Sequence, residues 1–176
     1  MIKNKITQKI LITGMPYSGK TYLSAFFKKN GENAIDADTI KGLGQWVDKK
    51  GNKVNFPNNA SKSWLDSHDF IWDRKLLRSW LNKQKTTVYF FGLSANVFNA
   101  IKLFDKVYYL NVSPDLLKKR FSNNERKNSM GQTQEQQQAI LKDLEDFTQK
   151  IKEKGAIFVS ADQSPEEIYK IIKIKR

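Results

Sequence analysis

Residues 14–21 read Gly14-Met15-Pro16-Tyr17-Ser18-Gly19-Lys20-Thr21 and meet every fixed position of the pattern G-x-x-x-x-G-K-[ST]. Their setting constrains the fold as much as their identity does. The run Lys9-Ile10-Leu11-Ile12-Thr13 before them has buried-strand character, and Tyr22-Leu23-Ser24-Ala25-Phe26-Phe27 after them reads as helix. Strand, glycine-bearing turn and helix in that order make a cradle for phosphate. Backbone N–H groups converge on phosphate oxygens, and the helix N-terminus adds the positive end of its dipole. The expected nucleotide contacts are therefore Gly14, Met15, Pro16, Tyr17, Ser18, Gly19, Lys20, Thr21 and Tyr22. Lys20 is expected to reach the β- and γ-phosphates and the Thr21 hydroxyl to sit on Mg²⁺, so the implied ligands are ATP and Mg²⁺. The competing reading is a glycine-rich turn that binds nothing.

Beyond the loop, strand and helix alternate to the end of the chain. After the first helix, from about Gly19 to Asn30, Asn30-Gly31 is a stop signal, and Asn33-Ala34-Ile35-Asp36 is a short second strand. Thr39 to Ser67 is long and less regular, and a helix is expected from about Ser67 to Lys83 on the spacing of Phe70, Ile71, Leu76, Leu77, Trp80 and Leu81. Thr86–Phe91 and Lys106–Val112 are the third and fourth strands. Ser113-Pro114-Asp115 opens a helix with a cap, a first-turn proline and an acid at the positive end. A helix over Gln134–Lys152, a strand over Ala156–Ser160 and a last helix from the capping box Ser164-Pro165-Glu166-Glu167 complete the series. Glutamine-rich 132–138 reads as helical surface. Five apolar strands alternating with helices predict an α/β fold, a mostly parallel sheet in three layers, in one domain of 176 residues.

Composition bounds the partners. The net charge of +13, from 31 Lys and Arg against 18 Asp and Glu, favours polyanionic ligands. The lysines are spread along the whole chain without a long basic block, so nucleic acid is allowed as a partner but not favoured. There is no cysteine, which excludes disulfides and thiolate metal sites. No stretch approaches the ~18 apolar residues of a membrane span. The apolar run after the basic Met1–Gln8 is too short for a secretory signal, and a cytoplasmic protein is the expectation.

In sheets of this kind ligands bind beyond the carboxyl ends of the strands. The second strand delivers Asp36-Ala37-Asp38. If the stretch stays extended, both carboxylates face one way: one can hold the metal's water shell and the other accept a proton from an acceptor hydroxyl. Equally, one of them can cap the next turn. No acid follows the third strand, which runs into Gly92-Leu93-Ser94-Ala95-Asn96, so Asp36 is the leading carboxylate for Mg²⁺. Gly92, Ser94 and Asn96 suit a close-approach turn for a substrate or an ordinary strand-to-helix turn. Arg120 and Arg126, in a basic stretch ending at Gly131, are candidates to stabilise the transferring phosphoryl group from a lid, or they are surface charges. Trp46, Trp64, His68, Asp69, Trp72 and Asp73 crowd the region after the second strand. On a helix His68 and Trp72 would share a face, as would Asp69 and Asp73, and could frame an acceptor pocket. Core aromatics with a surface histidine are the alternative.

These residues resemble the small P-loop kinases of the nucleoside monophosphate kinase, shikimate kinase and gluconate kinase type. Asp36-Ala37-Asp38 is similar to the D-x-D after the second strand of shikimate kinases, where the first acid serves the metal's water and the second holds the acceptor hydroxyl. Phe104-Asp105-Lys106-Val107-Tyr108-Tyr109-Leu110 with Leu117-Lys118-Lys119-Arg120 resembles the fourth strand and lid-entry helix, with Arg120 at the position of an Arg that approaches ATP. The resemblance implies a five-stranded parallel P-loop core in order 2-3-1-4-5, an acceptor-binding insertion at about 39–67 and a lid at about 121–133. The triple-glycine turn of shikimate kinases and the D-G-x-P-R segment of adenylate kinases are both missing. Trp64-Leu65-Asp66-Ser67-His68-Asp69 is similar to uncharacterised nucleotide-kinase-like ATPases and names no substrate.

The expected activity is transfer of the γ-phosphoryl of ATP to a small-molecule hydroxyl or phosphate, with Lys20, Asp38, Arg120 and Arg126 as catalytic residues and Thr21 and Asp36 at the metal. The alternatives are a polynucleotide 5′-hydroxyl kinase and a non-catalytic module gated by nucleotide.

Overall fold

The computed structural model describes residues 7–57, 59–122 and 130–174. Five strands form a parallel sheet: β1 (Lys9–Thr13), β2 (Asn33–Asp36), β6 (Val88–Phe91), β7 (Lys106–Asn111) and β8 (Ile157–Ser160). Their order is β2-β6-β1-β7-β8, which is the expected 2-3-1-4-5 when the parallel strands alone are counted. The register sets Asp36 beside Phe91, Thr13 beside Tyr109 and Asn111 beside Ser160. The carboxyl ends of all five strands therefore meet along one edge.

Both faces of this sheet are covered, which is why its strands are near-continuous apolar runs. On one face Ile10, Ile12, Tyr89, Phe91, Tyr108 and Leu110 pack with Leu23 and Phe27 of α1 (Lys20–Lys29), with Ile140 and Leu144 of α6 (Gln134–Glu153) and with Ile168 and Ile172 of α7 (Pro165–Ile174). On the other, Leu11, Val88, Phe90, Val107 and Tyr109 pack with Leu77 and Leu81 of α3 (Arg74–Asn82) and with Val97 and Ala100 of the short α4 (Val97–Ala100). Phe27 anchors the first layer, with its ring 5.0 Å from Tyr89, 5.3 Å from Phe91 and 4.8 Å from Tyr169, all edge-on.

Helix ends follow the local chemistry. Asn30 caps α1 before Gly31 turns at φ 79°. The hydroxyl of Ser113 accepts from Leu116 N at the start of α5 (Pro114–Phe121). Ser164 and Glu167 cap α7 reciprocally, N–H to side chain in each direction, at 2.8 and 3.2 Å.

The segment after β2 departs from expectation. It holds a second, antiparallel sheet of order β4-β3-β5, built from β3 (Gly44–Asp48), β4 (Lys53–Val54) and β5 (His68–Trp72), with α2 (Lys62–Ser67) between the last two. Asp48 organises the β3–β4 turn, its carboxylate accepting from Lys50 N, Asn52 N and Asn52 Nδ2 at 2.8 to 2.9 Å, with Gly51 at φ 85°.

The single helix expected over Ser67 to Lys83 is likewise corrected. Its first part is β5, paired residue by residue with β3, and its second part is α3. The break is made by Asp73, whose Oδ1 accepts from Lys75 N and Leu76 N at 2.9 and 3.0 Å and so starts a new helix. His68 and Trp72 still share a face, but by the two-residue period of a strand. Asp69 and Asp73 share no helix.

Candidate active site

The loop between β1 and α1 is held by its own backbone. Ser18 N donates to Met15 O at 3.1 Å, Tyr17 is left-handed at φ 66° and Gly19 follows at φ 98°. Gly14 is required by crowding, since a Cβ there would lie 2.6 Å from Ser18 Oγ and 3.0 Å from the Leu110 carbonyl. Gly14 and Ser18 are buried beneath the loop, whereas Met15, Pro16, Tyr17, Gly19, Lys20, Thr21 and Tyr22 border the cavity above it. Tyr22 is 69 % exposed.

Lys20 folds its ammonium back, donating to Gly14 O at 2.7 Å and Met15 O at 2.9 Å. The N-terminus of α1 has neither a capping side chain nor an acid in its first turn. A helix start with no capping side chain and no first-turn acid is the arrangement a phosphate fits.

Arg120 reaches over from α5. One guanidinium nitrogen donates to Tyr17 O and the other to Ala161 O, each at 2.8 Å. It braces the loop against the corner that follows β8. Burial pushes its pKa down, and the Asp162 carboxylate pushes it back up. Two bonds leave most of its five donors available.

The Asp36-Ala37-Asp38 stretch does not stay extended. Ala37–Thr39 is a 3₁₀ turn, and Asp36 caps it, accepting from Asp38 N at 3.1 Å through Oδ1. Capping occupies one oxygen and leaves the other for a ligand. Both carboxylates border the cavity with Lys20, Thr21 and Arg120. A hydroxyl at Thr21 with one carboxylate at Asp36 matches the sparse protein contribution typical of Mg²⁺, which keeps several waters and takes other ligands from phosphates. Among the described residues no group of three or more acids or histidines could hold a metal.

The turn after β6 has a structural task. Ser94 Oγ donates to Asn96 Oδ1 at 2.8 Å, and the Asn96 amide pairs with both backbone groups of Trp72, at 3.0 and 2.9 Å. These bonds fasten the second sheet to the first. At Gly92 the second sheet packs close on the end of β6, since a Cβ there would lie 2.7 Å from the Trp72 ring and 2.6 Å from Ala37 Cβ.

The cavity bordered by these groups measures about 1170 Å³. Its lining also includes Trp46, His68 and Phe70 of the second sheet and Ile140, Asp143 and Phe147 of α6. Sequence reasoning missed the α6 contribution, although Ile140, Asp143 and Phe147 recur at helical spacing. It also misjudged Gln136, expected on the surface. Gln136 is fully buried: its Oε1 accepts from Gly131 N and Gln132 N at 2.8 and 2.9 Å, and its Nε2 donates to Ala60 O at 3.3 Å. Arg126 lies outside the described residues.

No protein-family profile matches the sequence, and no curated protein does. Solved structures match over nearly the whole length. A shikimate kinase from Bacteroides thetaiotaomicron is similar with 19% identity and a TM-score of 0.51, over 96% of this chain and 99% of that one. A deoxyadenosine kinase from M. mycoides with bound dATP gives 16% and 0.56, over 95% and 98%. A sugar kinase from Janibacter sp. HTCC2649 gives 17% and 0.51, over 95% and 92%. At such identities the likeness is one of architecture, and it agrees with the strand order and the loop: the chain has the fold of the P-loop small-molecule kinases.

Proposed function

We propose that this protein transfers the γ-phosphoryl group of ATP to a small-molecule hydroxyl or phosphate. The observation that carries the reading is the uncapped start of α1, with Lys20 and Arg120 at the same loop, opening on the cavity that Asp36 and Asp38 also border.

Each residue has a task in this reading. Loop N–H groups of the α1 start hold the phosphates, and the Lys20 ammonium turns from Gly14 O and Met15 O to the β- and γ-oxygens. Thr21 and Asp36 would hold Mg²⁺, directly or through its water, and the ion would supply neutralising charge to the phosphates. Arg120, with Arg126 from the lid, offsets the charge that develops on the equatorial oxygens. Asp38 orients the acceptor hydroxyl and takes its proton as the oxygen bonds to the γ-phosphorus, while the bond from that phosphorus to the β,γ-bridging oxygen breaks and ADP leaves. The second sheet and α2 form the acceptor region, as an insertion within a single domain.

Labelled γ-phosphate transfer from ATP and Mg²⁺ to a panel of nucleosides, nucleoside monophosphates, polyols and hydroxy acids tests the reading. A labelled product that disappears in a folded Lys20→Ala variant is expected. Undiminished transfer by that variant would sink the mechanism, and ATP binding without any product would favour a nucleotide-gated module.

A further inference from the structure

Lysines that lie far apart in the sequence are gathered at one end of the molecule. In a parallel sheet each helix returns the chain to the start of the next strand, so helix C-termini and strand starts share the edge opposite the cavity. Hydrogen bonds hold these segments side by side. Lys9, at the start of β1, donates from its ammonium to Asn82 Oδ1 at the end of α3, at 2.8 Å, and from its backbone N–H to Asp105 Oδ2 just before β7, at 2.7 Å. Asn33, at the start of β2, donates to Gln84 Oε1 and Thr86 Oγ1 at 3.1 and 3.2 Å. Lys173 near the end of α7 pairs with Glu32 just before β2. The end of α6 turns at Gly155 directly into β8.

This end is basic. Lys28 and Lys29 close α1, Lys83 and Lys85 follow α3, Lys102 lies in the 3₁₀ turn before β7, and Lys152 and Lys154 end α6. All seven are exposed, and none of them is in an ion pair among the described residues. Lys9, Lys106 and Lys173 add charge from half-buried positions. Of the acids in these connections, Glu32 is taken by Lys173 and Tyr169, and Asp105 and Glu153 are exposed. Seven exposed ammonium groups against two exposed carboxylates leave a positive surface even if each acid neutralises one lysine. Helix dipoles favour cations in a last turn, which accounts for Lys28, Lys29 and Lys152 but not for Lys85.

Five strands at ~4.8 Å spacing make this end about 20 Å wide. A nucleic-acid duplex carries one phosphate charge per ~1.7 Å of its axis, about twelve over that width. Other polyanions ask for more than charge. Binding of single strands uses exposed aromatic rings on which bases stack, and docking on a membrane uses exposed apolar side chains beside the cations. Among the described residues the large hydrophobic side chains that stand exposed are Tyr22, beside the phosphate loop, and Ile174. One isoleucine makes neither a stacking platform nor an apolar face. Lysine is a point charge that contacts phosphate without reading a base.

We propose that this end of the molecule binds double-stranded nucleic acid through its phosphate backbone, independently of sequence. The five residues of β1 put about 16 Å between the surface and the phosphate loop. A duplex held here is therefore not the phosphoryl acceptor, and its binding does not depend on the phosphotransferase reading. It concentrates the protein on nucleic acid and leaves the cavity open.

Fluorescence anisotropy of a labelled DNA duplex of about 24 base pairs, over a range of salt concentrations, tests it. The logarithm of the affinity should fall with the logarithm of the salt concentration at a slope of about −4 to −6, as for five or six neutralised phosphates. Lys83→Gln, Lys85→Gln and Lys102→Gln together should weaken binding about tenfold or more and make the slope shallower by about 2–3. Lys28→Gln, Lys152→Gln and Lys154→Gln together should do the same from the other layer of the fold. Lys53→Gln, Lys75→Gln and Lys142→Gln, a triple variant of the same net charge with exposed lysines changed elsewhere, should stay within about threefold of wild type. A duplex of unrelated sequence, and the first duplex with Mg²⁺ and a non-hydrolysable ATP analogue at saturation, should also bind within about threefold. Equal losses in all three triple variants would assign the binding to diffuse charge and overturn the proposal. So would competition by the ATP analogue, absence of duplex binding at about 0.05 M salt, or tighter binding of a single strand or of phosphatidylserine vesicles than of the duplex.

Discussion

The phenol of Tyr17 donates to the carbonyl oxygen of Gly131 at 2.9 Å, so the phosphate loop is tied to the segment that leads into α6. The two residues are also shape-matched. Gly131 is left-handed at φ 88°, and a Cβ there would lie 2.3 Å from a Tyr17 ring carbon. Phe121 closes the other side of the ring edge-on at 5.0 Å.

Gly131→Ala should therefore lose about 2–3 kcal/mol, from the left-handed backbone and from the clash together. In a Tyr17→Ala background the clash is gone and the same substitution should cost about 1 kcal/mol less. Urea denaturation of the four proteins of this cycle measures the coupling, and equal costs in both backgrounds would separate the two residues energetically.

Gln136 extends that tie toward the second sheet. Gln136→Leu would leave the N–H of Gly131 and the carbonyl of Ala60 without this partner in a buried site, and would remove the bond to Gln132 N. The expected loss is about 2–4 kcal/mol, larger than for a surface glutamine. Gln136→Glu keeps both accepting bonds through its carboxylate and loses the donation to Ala60. At neutral pH it also buries a charge, so its cost should be comparable there and fall as the medium is acidified.

Asp38→Asn keeps the side-chain shape and removes the base. If Asp38 takes the acceptor proton, kcat should fall by about 10²–10⁴-fold with the KM for ATP nearly unchanged. Asp36→Asn should instead raise the Mg²⁺ concentration needed for half-maximal rate. A matching loss in both variants, with no change in Mg²⁺ dependence, would contradict the division of roles.

How far these features could be read in advance differs by element. The five parallel strands are covered on both faces, so each is a dense apolar run, and the loop after β1 has a pattern of its own. The second sheet carries no such mark. β4 has two residues, β3 mixes Gly44, Gln45 and Asp48 with its apolar positions, and β5 follows directly on α2. The helical spacing from Phe70 to Leu81 joined two elements by accident: Phe70 and Ile71 belong to β5, and Leu76, Leu77, Trp80 and Leu81 belong to α3. Asp73 was the available sign of the break. Of the residues that line the cavity, Lys20 and Thr21 could be placed from the loop pattern and Asp36 from its position at a strand end. Gln136 could not be read in this way, because a glutamine is buried only when tertiary neighbours supply its partners.

Asp48 gives the second sheet a pH limit. The side-chain and backbone N–H groups of Asn52, with that of Lys50, hold its carboxyl below the usual carboxylate range. A depressed carboxyl contributes stability that is complete above its unfolded pKa and is lost as pH falls through the folded one. The β3–β4 turn should thus loosen below about pH 4 and remain unaffected between pH 5 and 8. Trp46, which pairs with Val54 across this hairpin, reports it by fluorescence. Asn52→Ala, which removes the first of these causes, should move the transition to higher pH, and an unmoved transition would assign it to another group.

Gly92 is the point at which the two sheets depend on each other. The Trp72 ring lies on it from one side and Ala37 from another, while Ala95 N donates to Phe70 O at 2.7 Å just beyond. A methyl group at residue 92 would meet carbon atoms at 2.6 and 2.7 Å that belong to a backbone-anchored alanine and a buried indole. Neither can swing aside as a long surface side chain would. Gly92→Ala should therefore destabilise by about 1–3 kcal/mol. The displacement should also pass to Trp72, whose backbone is clamped by Asn96, and through β5 to His68 and Phe70 at the cavity. Acceptor affinity is then expected to fall by more than ATP affinity, because the phosphate loop lies on β1 and is tied to Arg120 and Gly131, not to β5. Ligand titrations on the folded variant measure both. Equal losses would mean that the end of β6 supports the whole site, and a loss confined to ATP would contradict the path from Gly92 through Trp72 to the second sheet.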